Sequence, residues 1–262
     1  MKIATWNVNS IRTRLEHVVD WLRENSVDVL CLQETKVVDP DFPRSPFEEL
    51  GYQVYVSGQK SYNGVAMLSQ TPLQAVSMGF TPIVGATTVG DLDEQKRVIT
   101  GVLGDIRLVN LYVPNGSSVG SEKYHYKLRW FEVLREYLKS LLANQANLLV
   151  CGDFNIALED QDIYDPAGKE NHIMASETER DALRSILDLG LADAFRKFNR
   201  EGGHFSWWDY RAASFRRNLG WRIDHHYLSA SLYERAQSCI IDIAPRKLPK
   251  PSDHAPVVVE LE

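Results

Sequence analysis

Five short segments of the chain carry carboxylates, amides or an imidazole: WNVN at 6–9, QETK at 33–36, LYVPNG at 111–116, GDFN at 152–155 and SDH at 252–254. They offer hard oxygen donors and one histidine, a set that suits Mg2+ or Mn2+ far better than zinc or copper. Each segment alone reads equally well as a turn after a strand, because Asn and Asp are ordinary turn residues.

The surrounding pattern shows what must position these groups. KIATW at 2–6 reads as a strand, followed by Ser10 as a candidate helix N-cap and by Ile11, Leu15, Val18 and Leu22 at helical spacing. VDVLCL at 27–32 reads as a buried strand that opens into Gln33, Glu34, Thr35 and Lys36, where open α/β sheets place their sites. Further strand-like runs lie at 53–57, 64–69, 97–103, 106–113, 147–151, 222–228, 236–241 and 256–261. Longer helical patterns are fewer: Leu128, Phe131, Leu134, Leu138 and Leu141 share one face, and another pattern covers about 176–188. So many strands joined by short turns exceed one regular βαβ sheet and predict two packed sheets with helices outside. No linker, low-complexity stretch or repeat divides the chain, so residues 1–262 read as one domain.

Composition narrows the class. With 44% hydrophobic and 24% charged residues the chain buries a large core, and no apolar run is long enough to span a membrane. The N-terminus has no signal-peptide pattern, which predicts a cytoplasmic protein. Cys31, Cys151 and Cys239 lie in apolar runs without metal-ligand spacing and read as reduced core thiols. The net charge of −6 hides an uneven distribution. Residues 152–181 hold nine acidic against two basic side chains, whereas Arg196, Lys197, Arg200, Arg211, Arg216, Arg217 and Arg222 face only Glu201 and Asp209. A basic, nucleic-acid-facing surface beside an acidic centre is one reading of this, and a solvated basic loop is the other. Adjacent His225 and His226 point to opposite faces of a strand and do not suit one ion.

Taken together, KIATWNVNSIR, DVLCLQETK, LYVPNG, LLVCGDFNIA, SWWDYR, NLGWRIDHHYLS and PSDHAPV resemble, nearly end to end, the exonuclease III family of abasic-site endonucleases within the endonuclease/exonuclease/phosphatase superfamily. The resemblance implies a four-layered α/β sandwich of two mixed sheets flanked by helices. It implies a DNA-repair hydrolase that cuts the backbone of double-stranded DNA 5′ to abasic sites and leaves a 3′-hydroxyl. The 3′-to-5′ exonuclease and 3′-end cleaning go with it, Mg2+ or Mn2+ is the cofactor, and neither a protein partner nor more than a monomer is implied.

Site roles follow from the same resemblance. Glu34 is the principal metal ligand, with Asn7 and Asp253 completing or supporting the ion's shell and Asp153, Asn155 and His254 beside it. Asn9 departs from the pattern, since some relatives carry Asp there. Asp153 activates or orients the attacking water, Asn155 donates to a phosphate oxygen, and Tyr112 and Asn115 are further phosphate contacts. Asp224 fixes the tautomer of His254; whether Asp153 or His254 takes the water's proton stays open. Trp207 and Trp221 wall a pocket for a flipped-out baseless sugar, with Ile223 on the same wall, and Arg216 and Arg217 contact DNA phosphates. Ser118 stands near a point where some relatives insert a basic wedge. The rival readings are an inositol-phosphate or sphingolipid phosphodiesterase built on the same machinery, and a catalytically silent nucleic-acid-binding module.

Overall fold

Two six-stranded sheets form in the computed structural model, which describes residues 1–262. One contains β1 (Lys2–Asn7), β2 (Val29–Gln33), β3 (Gln53–Ser57), β4 (Val65–Ser69), β11 (Ala236–Ile241) and β12 (Val257–Leu261), in the spatial order β11, β12, β1, β2, β4, β3. The other contains β5 (Gln74–Met78), β6 (Val98–Leu103), β7 (Ile106–Tyr112), β8 (Leu148–Asp153), β9 (Leu191–Asp193) and β10 (Asp224–Ser229), in the order β5, β6, β7, β8, β10, β9. The helices are α1 (Leu15–Asn25), α2 (Ser45–Glu48), α3 (Thr81–Val84), α4 (Ala86–Val89), α5 (Glu122–Asn144), α6 (Glu177–Leu187), α7 (Ala194–Phe198) and α8 (Ala230–Arg235).

The period-two alternation of the strands explains the layering. Ile3, Val29, Cys31 and Met67 of the first sheet meet Ile99, Leu108, Leu149 and Cys151 of the second between the sheets. The alternate residues face outward: Ala4, Trp6, Leu30 and Leu32 pack with Val18 and Leu22 of α1, while Val109, Leu111, Leu148 and Val150 pack with Trp130, Leu134 and Leu138 of α5. The result is the helix, sheet, sheet, helix order that the sequence predicts. The three cysteines are free and buried. No helix is long and apolar enough to cross a membrane.

Each sheet has one parallel pair, β1 with β2 and β7 with β8. A parallel pair needs a crossover, and α1 and α5 supply them. The C-terminal ends of all four strands therefore emerge at the same edge, joined there by the starts of β10 and β12, which run antiparallel to β8 and β1.

The expected helix start is wrong. Ser10 has φ 89° and caps nothing; α1 begins at Leu15 after Arg14. Residues 8–11 instead follow the turn after β2, with Ser10 N–H donating to the Glu34 carbonyl and Ile11 N–H to that of Thr35. This side-by-side path keeps Asn7 and Asn9 beside Glu34. The basic stretch is also not one face. Arg222 is 1% exposed and bonded to Asp162 and Asp193, Arg196 is bonded to Asp162, and Lys197 donates to three backbone carbonyls. Arg200, Arg211, Arg216 and Arg217 remain exposed, with Arg211 paired to Asp209.

Candidate active site

Every chemically competent segment of the sequence except part of the basic stretch meets at this one edge. Asn7 ends β1, Glu34 follows β2, Tyr112 ends β7, Asp153 ends β8, Asp224 begins β10 and His254 precedes β12. In the β7–β8 register Tyr112 lies opposite Asp153, and in the β8–β10 register Asp153 lies opposite Asp224. Gly152 makes this approach feasible: with φ +143°, a Cβ there would meet the Leu111 carbonyl oxygen at 1.9 Å. The turns are held in left-handed conformations, with φ 44° at Asn9, 49° at Glu34, 57° at Lys36 and 49° at Asn155. Non-glycine residues cluster in this region where the surroundings enforce it, commonly at functional sites.

The carboxylates form one bonded group. Asn7 Nδ2 donates to Glu34 Oε1 at 2.8 Å and to Asp153 Oδ2 at 2.9 Å. Lys36 Nζ sits 2.9 Å from Glu34 Oε2 and donates to Asn9 Oδ1 at 2.6 Å. Asn155 is oriented by three bonds: its backbone N–H donates to Asp153 Oδ1, and its Nδ2 donates to the Val113 carbonyl and to Asp153 Oδ2. Asn115 Nδ2 in turn donates to Asn155 Oδ1 at 3.0 Å. Atoms of Glu34, Asp153 and His254 lie within 4.8 Å of one another, and these hard carboxylate oxygens have the chemistry to hold a divalent cation. Asp253 is not brought into that cluster. Its Oδ1 accepts from Asn9 Nδ2 at 3.0 Å and its Oδ2 from Trp207 Nε1 at 3.0 Å, so it anchors neighbours instead.

Electrostatics divides the groups. Asp224 Oδ2 lies 2.9 Å from His254 Nδ1 and accepts from the Ser206 hydroxyl at 2.6 Å. His254 Nε2 points back toward Asp153 Oδ2 at 3.8 Å. Burial works against the charged imidazole, but the Asp224 and Asp153 carboxylates outweigh it and push its pKa up to about 10. Burial raises Asp153 to about 7, with Asp224 and Glu34 also raising it and His254 and the Asn7 amide opposing. Tyr112 is held well above its ordinary value by burial and by Glu34, so its hydroxyl stays a proton donor. Arg97 stacks 4.5 Å over its ring and donates to its carbonyl.

Beside this cluster opens a cavity of about 400 Å³ whose walls include Asn115, Met174, Trp207, Trp221, His172 and Leu219. Trp207 and Trp221 pair as a short antiparallel bridge, and Trp207 bridges His254 as well. Ile223 does not line the cavity; it is 1% exposed and packs in one apolar cluster with Trp221, Ile163 and Met174. Arg216 and Arg217 stand on the exposed 209–219 loop, whose Arg211 and Ser214 rim the cavity, and Arg217 lines a separate hollow with Asp160 and Tyr164. His225 and His226 are both buried, bonded to the Ile156 and Val257 carbonyls respectively, so they pack and bind no ion together. His226 makes no hydrogen bond to Asp224.

Sequence reasoning missed the roles of Lys36, Ser206, Lys127 and Met174 at this edge. For Lys127 a signal existed, a lysine within the apolar stripe Tyr124, Phe131, Leu134 and Leu138 of α5. For Ser206 none did.

The endonuclease/exonuclease/phosphatase family description matches residues 4–254. Exodeoxyribonuclease III of Haemophilus influenzae is 35% identical over 276 aligned positions that cover 100% of both chains. A 3′ phosphatase from Neisseria, solved bound to a product DNA hairpin, is 40% identical with a TM-score of 0.95 over 100% of this chain and 99% of its own. An AP endonuclease from Archaeoglobus fulgidus is 40% identical with a TM-score of 0.93 over the same shares.

Proposed function

The chain belongs to the endonuclease/exonuclease/phosphatase family and is a hydrolytic nuclease of DNA repair, and from that premise we propose that it cuts double-stranded DNA 5′ to abasic sites, leaving a 3′-hydroxyl. Trimming of 3′ ends, by exonuclease action and removal of 3′ blocking groups, belongs to the same reading. The working unit is a cytoplasmic monomer in which residues 1–262 are one catalytic domain.

One observation carries the abasic preference: Asn115 belongs to both parts of the site. Its side chain donates to Asn155 in the carboxylate cluster and also lines the tryptophan-walled cavity. A phosphate bound at the amides would place the adjoining sugar in that cavity. A nucleotide without a base leaves the helix stack at less cost than a normal one and fits where a base does not.

The chemistry is then divided among the chain's own residues. Asp153, with its pKa near 7, accepts the proton of the attacking water. His254, kept charged by Asp224, donates toward the phosphate from Nε2, so it is not the proton acceptor. A bound phosphate would draw on the Tyr112 O–H and on the Asn115 and Asn155 amide N–H groups, which the free site spends on Asn155, Val113 and Asp153. Mg2+ or Mn2+ held by Glu34, with Asn7 and Asp153 beside it, would neutralise charge on the phosphate. Asp253 supports this centre from outside by fixing Asn9 and Trp207.

The test offers Mg2+ with three substrates: a duplex with one abasic analogue, an intact blunt duplex and a phosphoinositide. The expected order is abasic duplex first, blunt duplex second and no turnover of the lipid headgroup, with excess chelator abolishing all activity. Preference for the phosphoinositide, or full activity in chelator, would overturn the reading.

A further inference from the structure

Lys127 is an anomaly of the α5 face. It is 0% exposed among Tyr124, Trp130, Phe131 and Leu134, where an apolar residue would pack. All three ammonium protons have acceptors: Glu179 Oε1 at 2.6 Å, the Asn155 carbonyl at 2.8 Å and the Asn115 carbonyl at 3.2 Å. Glu179 is equally occupied. Its Oε1 also accepts from the Met174 backbone N–H at 3.2 Å, and its Oε2 accepts from the Ser176 N–H and hydroxyl, which closes the capping box of α6.

One buried ion pair therefore grips three loops that come from distant parts of the chain. Asn115 follows β7, Asn155 follows β8 and Met174 precedes α6. The same three residues meet again on the site side, where Asn115 Nδ2 contacts Asn155 Oδ1 at 3.0 Å and Met174 Sδ at 3.5 Å. Stability does not explain the pair, because a buried ion pair is often no better than well-packed apolar residues of the same volume. Apolar residues would lose the grip on two main-chain carbonyls at a single point. Gly116, with φ +90°, lets its turn sit on the lysine stem, since a Cβ there would lie 3.2 Å from Lys127 Cδ.

We propose that Lys127 is a positioning residue: by binding the Asn115 and Asn155 carbonyls together it sets the spacing of the two amides at the scissile phosphate, so that turnover depends on its ammonium more than folding or substrate binding does. The proposal rests on the nuclease reading above. Wild-type cleavage of abasic duplex is the control that separates the two, because an inactive wild type would sink that reading and not this one.

The full chain is tested as the double variant Lys127→Met, Glu179→Gln, which removes both charges, conserves volume and keeps a side chain competent for the capping box. The expected result is a melting temperature within a few degrees of wild type, KM within about threefold, and kcat lowered about 10- to 100-fold, as small misplacements of reacting groups produce. Glu179→Gln alone leaves the buried ammonium without its counter-charge and should lower the melting temperature, but the folded variant, with the ammonium still on its carbonyls, should keep most of the turnover. An unchanged kcat in the folded double variant, or a rise in KM alone, would overturn the proposal. If the double variant does not fold, Lys127→Arg replaces it with the same two readings, since a guanidinium keeps the charge without bringing both carbonyls to one point. If neither folds, Lys127 is a folding residue and the proposal fails.

Discussion

The two sheets each deliver a carboxylate to the same edge by the same device, a parallel strand pair bridged by a helix, yet the two carboxylates meet different surroundings. At the end of β2, Glu34 is 17% exposed by side chain and shares Lys36 and Asn7 as neighbours. At the end of β8, Asp153 is 1% exposed, paired in register with Tyr112 and Asp224, and raised to about 7. The open carboxylate suits a cation that must enter from solvent. The closed one suits a base, which needs a pKa near the working pH. Equivalent backbone positions thus acquire different chemistry through the strands beside them: β2 has β4 on its outer side, whereas β8 has β10, which brings in Asp224 and through it His254.

The sharpest break of this comparison is to neutralise each carboxylate in turn. Asp153→Asn should lower kcat by about 10²- to 10⁴-fold at any Mg2+ concentration, the range for losing a positioned acid or base. Glu34→Gln should also lower turnover, but raising Mg2+ or Mn2+ should restore part of it. Initial rates on abasic duplex across a metal titration distinguish them, and equal rescue of both variants would erase the division.

A second prediction concerns the support beneath Asp224. Asp162 and Arg222 are fully buried partners, and Arg222 lies between Trp221 and Ile223 in the segment that leads into β10. Burial would raise the Asp162 pKa, but the Arg222 and Arg196 guanidiniums outweigh it and hold it below the ordinary carboxylate value. Asp162→Asn leaves Arg222 under-compensated and should cost about 3 kcal/mol or more. Because the folded pKa is depressed, the charged pair stabilises the protein above the unfolded-state pKa of about 4, and this is lost as pH falls through the folded value. Melting curves should therefore show a wide gap between wild type and variant at pH 7 that narrows below about pH 4. A gap that does not change with pH would assign the loss to packing alone.

Much of this was legible in the sequence because the motifs sit where apolar runs stop. WNVN, QETK and GDFN each close a short apolar run of strand formers, so both the two-sheet reading and the edge that carries the chemistry could be read. What was not legible depends on residues brought together across the chain. Arg222 reads as surface charge until Asp162 and Asp193 are placed beside it, and the bonds that tie Asp253 to Asn9 and Trp207 join residues far apart in the chain. Ser10 has cap chemistry, but the loop's pairing with residues 34–35 outweighs that local preference. Ile223 belongs to the wall by resemblance, yet it is buried in one apolar cluster with Trp221, Ile163 and Met174 and does not line the cavity.

A smaller effect is expected at the cavity. Trp207→Ala should reduce the kcat/KM preference for abasic over intact duplex by about 10- to 100-fold, by analogy with the roughly 1 to 3 kcal/mol of a base stacked on a protein aromatic. The variant must first be shown folded, because Trp207 also bonds Asp253. An unchanged ratio would make Trp207 a packing residue.

Whether Asp153 rather than His254 accepts the proton is tested most directly by the pH dependence of kcat/KM on abasic duplex at saturating Mg2+. Asp153 must be deprotonated and His254 protonated, so activity should rise with pH through about 7, or lower where the bound cation favours the carboxylate, and fall through about 10. Replacing Asp224 with Asn removes the main charge that raises His254 and should move the falling limb to lower pH. If His254 were the base, it would act only when neutral, and activity would instead climb through about 10 in the wild type and at a lower pH in Asp224→Asn.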